Sequence, residues 1–334
     1  MNHSTVKSFT FGIGLFFTLP LVYGNSSSPS SSDGTLYINK SKTHKVAPVK
    51  YGFHYEEIGM MGEGALHAEL IRNRSFEEAT PPAGLSVKNG LYENVPAPRV
   101  KEKKVFQADP LIGWTTYPLS YTPVFISRTD ENPMSGENKY SMLVNVTEDI
   151  ANHPDALILN RGYYGMNLKT DTSYRLSLFL KNRNYSAPLR VFLVDEWGQR
   201  VSNVIEVNVG NRDWTKYTGE LKPEKNVRRG MFAIQPMSKG QFQIDVVSLF
   251  PSDTWNDGKS VFRKDIVQNL KEFSPSFIRF PGGCIVHGVN EETMYHWKKT
   301  LGPIENRPGQ WSKWAPYYLS LIHISEPTRP ISIS

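Results

Sequence analysis

Residues Phe277 to Cys284 read Phe-Ile-Arg-Phe-Pro-Gly-Gly-Cys, a short apolar run broken by one arginine and stopped by Pro281, Gly282 and Gly283. A run of this kind predicts a buried strand that passes into a sharp loop. Upstream, Phe262, Ile266, Leu270 and Phe273 recur at helical spacing across Val261 to Phe273, and Ser274-Pro275 ends that helix. Helix, turn, strand and glycine loop together make half of a β/α unit of a parallel sheet. A guanidinium keeps its proton, so Arg279 near the end of a buried strand calls for a carboxylate or a polar ligand. Where the strands of a (β/α)8 barrel end, loops carry the chemistry, and glycines let a ligand approach the backbone. A plain structural ion pair explains the same arginine, and both explanations stay open on these residues.

Working outward, Val49 to Glu57 alternates Tyr51, Phe53 and Tyr55 against Gly52, His54 and Glu56, the period of a strand with one face in an apolar layer. This is the expected first barrel strand. Glu56 and Glu57 fall at its C-terminal end, ahead of Gly59, Gly62 and Gly64, and Glu56 is either a site residue or a solvated strand end. Ala65 to Arg74 has the composition of a helix, with Arg72 and Arg74 in the last turn where the dipole favours cations. His54 and His67 lack partners at metal-ligand spacing, so neither a metal nor a cofactor is expected.

Between Glu78 and Lys104 the pattern dissolves into proline, glycine and charge. Alternating runs then follow one another: Ser141 to Val146, Ala156 to Leu159, Tyr174 to Leu180, Leu189 to Val194, Val204 to Val209, Trp214 to Leu221, Met231 to Gln235 and Gln241 to Phe250. Short strands separated by turn signals predict an antiparallel β-sandwich. The chain leaves it through Pro251-Ser252-Asp253 and re-enters the helix and strand quoted above. His287 to Trp297 suits a loop over the site, in which Trp297 either walls a pocket or simply packs.

The chain has 334 residues, 39% of them apolar, enough for a substantial core. Its formal charge of +6 comes from 38 basic and 32 acidic residues of mixed distribution, which argues against a nucleic-acid partner. Lys7, the apolar run Phe9 to Val22 and Gly24 predict a secretory signal peptide, too short for a membrane span, so the expected location is secreted, periplasmic or extracellular. Cys284 is the only cysteine, so no internal disulfide is possible. As a nucleophile it would need a base and an electropositive setting. Leu319 to Arg329 resembles a translated sequencing adaptor, and the native frame is expected to be lost near Tyr318. The expected organisation is therefore a signal peptide (1–24), a flexible leader (25–45), a first β/α unit (46–80), a linker (81–104), the sandwich (105–252), a resumed and incomplete barrel (253–318) and a non-native tail (319–334).

Three ordered blocks carry a family resemblance. Arg279 to Cys284 resembles the Arg-Phe-Pro-Gly-Gly-Cys signature of family 51 glycoside hydrolases, the α-L-arabinofuranosidases. Tyr51 to Glu78 resembles the family's first strand and helix, and Trp297 to Pro308 the segment after the glycine loop. The resemblance implies the first part of a (β/α)8 TIM barrel interrupted by a β-sandwich like a carbohydrate-binding module. Trp114, Tyr117, Tyr121, Tyr163, Tyr164 and Trp197 of that insert offer aromatic faces to a sugar, although most are expected in core or interface. It further implies retaining hydrolysis of terminal α-L-arabinofuranosyl residues from arabinose-containing polysaccharides or oligosaccharides. Retention needs two carboxyl groups roughly 5 to 5.5 Å apart. The resemblance places both on later strands, past Tyr318, so the chain itself is expected to be inactive.

By motif position Glu56 takes the place of a substrate-binding glutamate, and Arg279 that of an arginine that helps keep the nucleophile ionised. Gly282, Gly283, Cys284 and Trp297 complete the set of substrate-binding or site-supporting residues. Cys284 stands where family branches differ, and His287 where many relatives have a glutamate. Two alternatives remain: another glycosidase of the same clan, such as a xylosidase or endoglucanase, and a non-catalytic carbohydrate-binding protein.

Overall fold

The computed structural model describes residues 51–58, 60–79, 109–288 and 294–309, residues 39, 41, 45 and 291 singly, and four short strands by their backbone. The expected signal peptide lies outside the described residues, as do almost all of the leader, the linker and the tail. The chain divides into the units Met1–Pro48 and Val49–Ser334, and every element below belongs to the second.

In chain order the strands are β1 (Phe53–His54), β2 (Leu91–Glu93), β3 (Val105–Gln107), β4 (Trp114–Tyr117), β5 (Val124–Thr129), β6 (Ser141–Val146), β7 (Leu157–Asn160), β8 (Met166–Leu168) and β9 (Tyr174–Asn182). They continue with β10 (Pro188–Val194), β11 (Ile205–Asn208), β12 (Thr215–Leu221), β13 (Val227–Gln235), β14 (Gly240–Pro251) and β15 (Ile278–Arg279), then β16 (Gln310–Trp311) and β17 (Tyr318–Leu319). Two helices, α1 (Lys264–Glu272) and α2 (Cys284–His287), flank β15. The protein is mostly β with few helices, and among the described residues no helix is long and apolar enough to cross a membrane.

Two antiparallel sheets hold the core. One runs β11-β10-β13-β7-β4 with β8 attached to β13, the other β12-β9-β14-β6-β5. Alternation explains the second: along β9 the residues Tyr174, Leu176, Leu178 and Leu180 are buried while Arg175 between them is exposed. These side chains share one cluster with Val144, Phe242 and Ile244 of the same sheet and with Ile158, Leu193, Phe232 and Ile234 of the other. Burying each large apolar side chain contributes roughly 1.5–3 kcal/mol. The six-stranded sheet is apolar on its other face too, where Leu157, Leu159, Phe192, Val194, Met231 and Ala233 form a second buried cluster. Its strands therefore read as continuous apolar runs, whereas β12 alternates half-buried with exposed residues.

β14 breaks register between Asp245 and Ser248, with Val246 at φ 42°. The segment 66–79 docks at this bulge: Arg74 O accepts from Val247 N at 2.9 Å, and Leu70 N donates to Leu249 O at 3.1 Å.

Here the structure corrects the expected helix Ala65 to Arg74. A five-residue π-type turn, Gly62–Leu66, gives way to irregular backbone. Tertiary partners outbid the intrahelical bonds: Ala68 N donates to Val261 O at 2.8 Å, and Glu69 Oε1 accepts from Ile71 N at 3.0 Å and Leu249 N at 2.8 Å. Asn73 and Phe76 lie at φ 51° and 60°, outside any helix. α1 does form where the apolar spacing placed it, but its stripe Ile266, Val267 and Leu270 is only half-buried.

Candidate functional site

β1 and β15 pair in parallel, Phe53 beside Ile278 and His54 beside Arg279. The approach is close: a Cβ on Gly52 would lie 2.4 Å from Phe277 O. Tyr55 stacks on Phe280 with ring centroids 5.6 Å apart, and Phe53 meets Phe273 edge-on at 5.8 Å. β1 thus ends with Glu56 next to the glycine loop that follows β15.

The Glu56 carboxylate grips that loop. Its Oε1 accepts from Cys284 N at 2.8 Å and Ile285 N at 3.4 Å, two backbone donors at the start of α2. Gly282, at φ 130°, is the residue this contact requires, since a Cβ there would sit 2.2 Å from Glu56 Cγ. Gly283 does different work. The place its Cβ would fill lies 3.9 Å from Arg279 Nη2 and 3.9 Å from Glu56 Oε2, so a cation and an anion flank one bare stretch of backbone. His54 Nε2 stands 3.8 Å from Glu56 Oε2.

Glu56, Arg279, Gly282, Gly283 and Cys284 are therefore brought together. Trp297 is not among them: it opens the 3-10 turn Trp297–Thr300, its ring is 58% exposed, and Lys298 Nζ lies 5.9 Å from its centroid.

The expectation that β15 and Arg279 are buried is corrected. Ile278, Arg279 and Phe280 are all exposed, because β15 has one strand neighbour and no helix lies over it among the described residues. Arg279 accordingly makes no ion pair among the described residues, and the premise of a charge forced to find a buried partner fails. The position of its guanidinium beside Gly283 remains.

The aromatic residues of the sheets divide. Trp114 is core, its Nε1 donating to Asn73 O at 3.1 Å, and Tyr117 borders the second apolar cluster. Tyr121 donates to Glu148, and the Tyr163 ring lies against Gly64 and Arg72. Tyr164 and Trp197 are 84% and 72% exposed.

Sequence reasoning missed a nest of buried charge between Glu57 and Glu78. Arg74 Nη1 pairs with Glu69 Oε2 at 3.2 Å, and Arg72 Nε with Glu78 Oε2 at 3.4 Å, so the two arginines serve these carboxylates and not a helix dipole. Burial, partly offset by the backbone N–H groups of Gly62 and Glu63, pushes the Glu57 carboxyl up to about 7. Burial pushes Glu63 well above the carboxylate range, with Glu78 and Glu57 adding like-charge repulsion. Burial also drives His67 down to about 3, and Arg74 adds to that. The available signal was the density of Glu and Arg from Glu63 to Glu78 in a stretch that also holds Leu66, Leu70, Ile71 and Phe76. Among the described residues no group of three or more His, Cys, Asp or Glu is placed to hold a metal ion.

Comparison with known proteins gives these features a family context. Residues 269–321 match the α-L-arabinofuranosidase 1 domain. The chain is 28% identical over 273 residues to α-L-arabinofuranosidase 1 of Arabidopsis thaliana, covering 79% of this chain and 36% of that protein. It is 26% identical over 277 residues to the extracellular exo-α-L-arabinofuranosidase of Streptomyces chartreusis, covering 79% of this chain and 29% of that one. The chain thus spans about a third of the length of these relatives. In fold it is similar to an arabinose-bound family 51 α-L-arabinofuranosidase, with a TM-score of 0.67 and 24% identity over 85% of this chain and 43% of the other.

Proposed function

We infer, from the membership of this chain in the α-L-arabinofuranosidase family of glycoside hydrolases, family 51, that it is the N-terminal part of an enzyme releasing terminal α-L-arabinofuranosyl residues with retention. The observation that carries this reading is the convergence of Glu56 and Arg279 on Gly283. Furanose hydroxyls both donate and accept, so a carboxylate and a guanidinium on either side of bare backbone can take them from two directions. The loop is rigid where it must be, since Glu56 Oε1 is committed to the N–H groups of Cys284 and Ile285.

In this reading β1, α1 and β15 belong to a (β/α)8 barrel, and the two large sheets are a β-sandwich inserted between its first and second units. The paired carboxyls of retaining hydrolysis belong to later strands, so residues 51–309 supply scaffold and sugar contacts. The relative named extracellular and the apolar stretch Phe9 to Val22 both support export.

The test is hydrolysis of arabinofuranosyl and xylopyranosyl chromogenic substrates by the full-length gene product, alongside its Glu56→Ala and Arg279→Ala variants. Arabinofuranoside cleavage that falls roughly 100-fold or more in either variant is the expected result, on the scale seen for lost transition-state hydrogen bonds. Preference for the xylopyranoside would move the chain to another glycosidase class, and unchanged kinetics in both variants would remove the site.

A further inference from the structure

The face of the five-stranded sheet turned away from the core carries a groove of about 670 Å³. Its size falls within the roughly 300–1,000 Å³ of ordinary small-ligand sites. The floor comes from β12, β9 and β14, and strand register arranges it in rungs. Glu220, Arg175 and Phe250 lie side by side across the three strands, and Thr218, Ser177 and Ser248 form the next rung. One wall is the loop from Gly258 to Val261, which brings Lys259 and Ser260 to the rim.

Three cations face this space, Arg175, Lys216 and Lys259, against the single carboxylate of Glu220. Edge strands carry lysines to prevent pairing with other chains, which accounts for charge on β12. It does not account for Arg175, which sits on the inner strand β9 and is held across the groove by its Nη1 donating to Gly258 O at 3.1 Å. Nor does it account for Lys259, on the opposite wall. Lys216 itself lies over the sheet, its Nζ 5.6 Å from the Phe179 centroid.

Neutral sugars are gripped by flat aromatic faces, and the groove has no Trp or Tyr in its lining. Its one aromatic, Phe250, already meets the His67 ring edge-on at 5.1 Å. Cations interleaved with the hydroxyls of Ser177, Thr218 and Ser260 match a chain that repeats carboxylates and hydroxyls. We propose that this groove binds an acidic glycan through the carboxylates of its hexuronate residues. Binding here is independent of hydrolysis, so it stands or falls apart from the catalytic reading.

The experiment is electrophoresis of the full chain through native gels containing polygalacturonate or, separately, a neutral galactan. Two double variants with the same change in net charge are run beside it: Lys216→Glu with Lys259→Glu in the groove, and Arg212→Glu with Lys239→Glu away from it, all four residues exposed. Polygalacturonate is expected to retard the parent chain and the control variant, with affinity roughly tenfold lower for the groove variant and weakened by salt for all. Equal retardation of both double variants would mean that only net charge is sensed, and would overturn the proposal. So would retardation by the galactan that the groove charges do not affect, or no retardation of the parent chain by polygalacturonate.

Discussion

The two large sheets and the small parallel pair β1·β15 are made from similar residues and end in opposite states. In the sheets Phe232, Phe242, Leu178 and Ile244 are wholly buried. Around β15, Phe273 is 61% exposed and Ile278 53%, and α1 has no buried residue. Apolar composition therefore does not by itself make a core; closure of the layers does. The sheets supply each other's missing face, while β1, β15 and α1 present one that the described residues leave open. The segment 66–79, which follows β1 in the chain, is tied to the bulge of β14, because Glu69 binds Ser248 and Leu249 of that strand and pairs with Arg74.

The strongest way to break this contrast is a matched pair of truncations. Phe232→Ala, in the middle of the shared core, is expected to cost about 3–5 kcal/mol, the usual range for a large buried aromatic. Phe273→Ala is expected to cost no more than about 1.5 kcal/mol, because its mostly exposed ring keeps an edge-on contact with Phe53. Urea denaturation of the two variants decides it, and comparable losses would mean that the parallel pair is as much a core as the sheets.

A smaller effect tests the buried charge nest that runs from Glu57 to Glu78. Folded, the Glu57 carboxyl keeps its proton to about pH 7, whereas unfolded it loses it near 4.5. The folded chain therefore holds the extra proton in that window. Stability contributed by this group is complete below pH 4.5 and is lost as pH rises towards 7, with a slope of up to about 1.4 kcal/mol per pH unit. His67, pushed down to about 3, works the other way and weakens the fold as pH falls below 6.5. Glu57→Gln removes the first slope and leaves the second. Denaturation midpoints between pH 5 and 7 are expected to fall with pH less steeply in the variant than in the parent, and parallel curves would show that Glu57 titrates as an ordinary carboxylate.

What was legible in the sequence follows from the same contrast. Ser141–Val146 and Tyr174–Asn182 announce themselves because one face is buried and the period is two. Trp114–Tyr117, Val124–Thr129 and Met166–Leu168 were missed for separate reasons. The first is a polar pair between aromatic residues, the second turns Phe125 outward, and the third is three residues long. The segment 65–74 has helical composition, yet its backbone bonds go to β14 and to Val261, and no local pattern encodes partners that far along the chain. At the candidate site, the sharp loop was legible from Pro281, Gly282 and Gly283, whereas the contact of Glu56 with Gly282 was not, because Glu56 was placed as a site residue by motif position alone. Exposure of Arg279 was not, because an apolar run states what a strand can bury and not what arrives to cover it.

The smallest effect sharpens the comparison most. If β15 is held only by β1 and by the grip of Glu56 on the α2 backbone, its amides open locally, far below the free energy of global unfolding. Hydrogen exchange at Tyr55 N, which donates to Arg279 O at 2.9 Å, is then expected to be orders of magnitude faster than at Ile244 N in the middle of β14. Ile278→Ala is expected to speed the first slightly and leave the second unchanged, with global stability altered by less than about 0.5 kcal/mol. Equal protection at the two amides would mean that the parallel pair and the large sheets unfold as one unit, and the distinction between a closed core and an open one would lose its energetic basis.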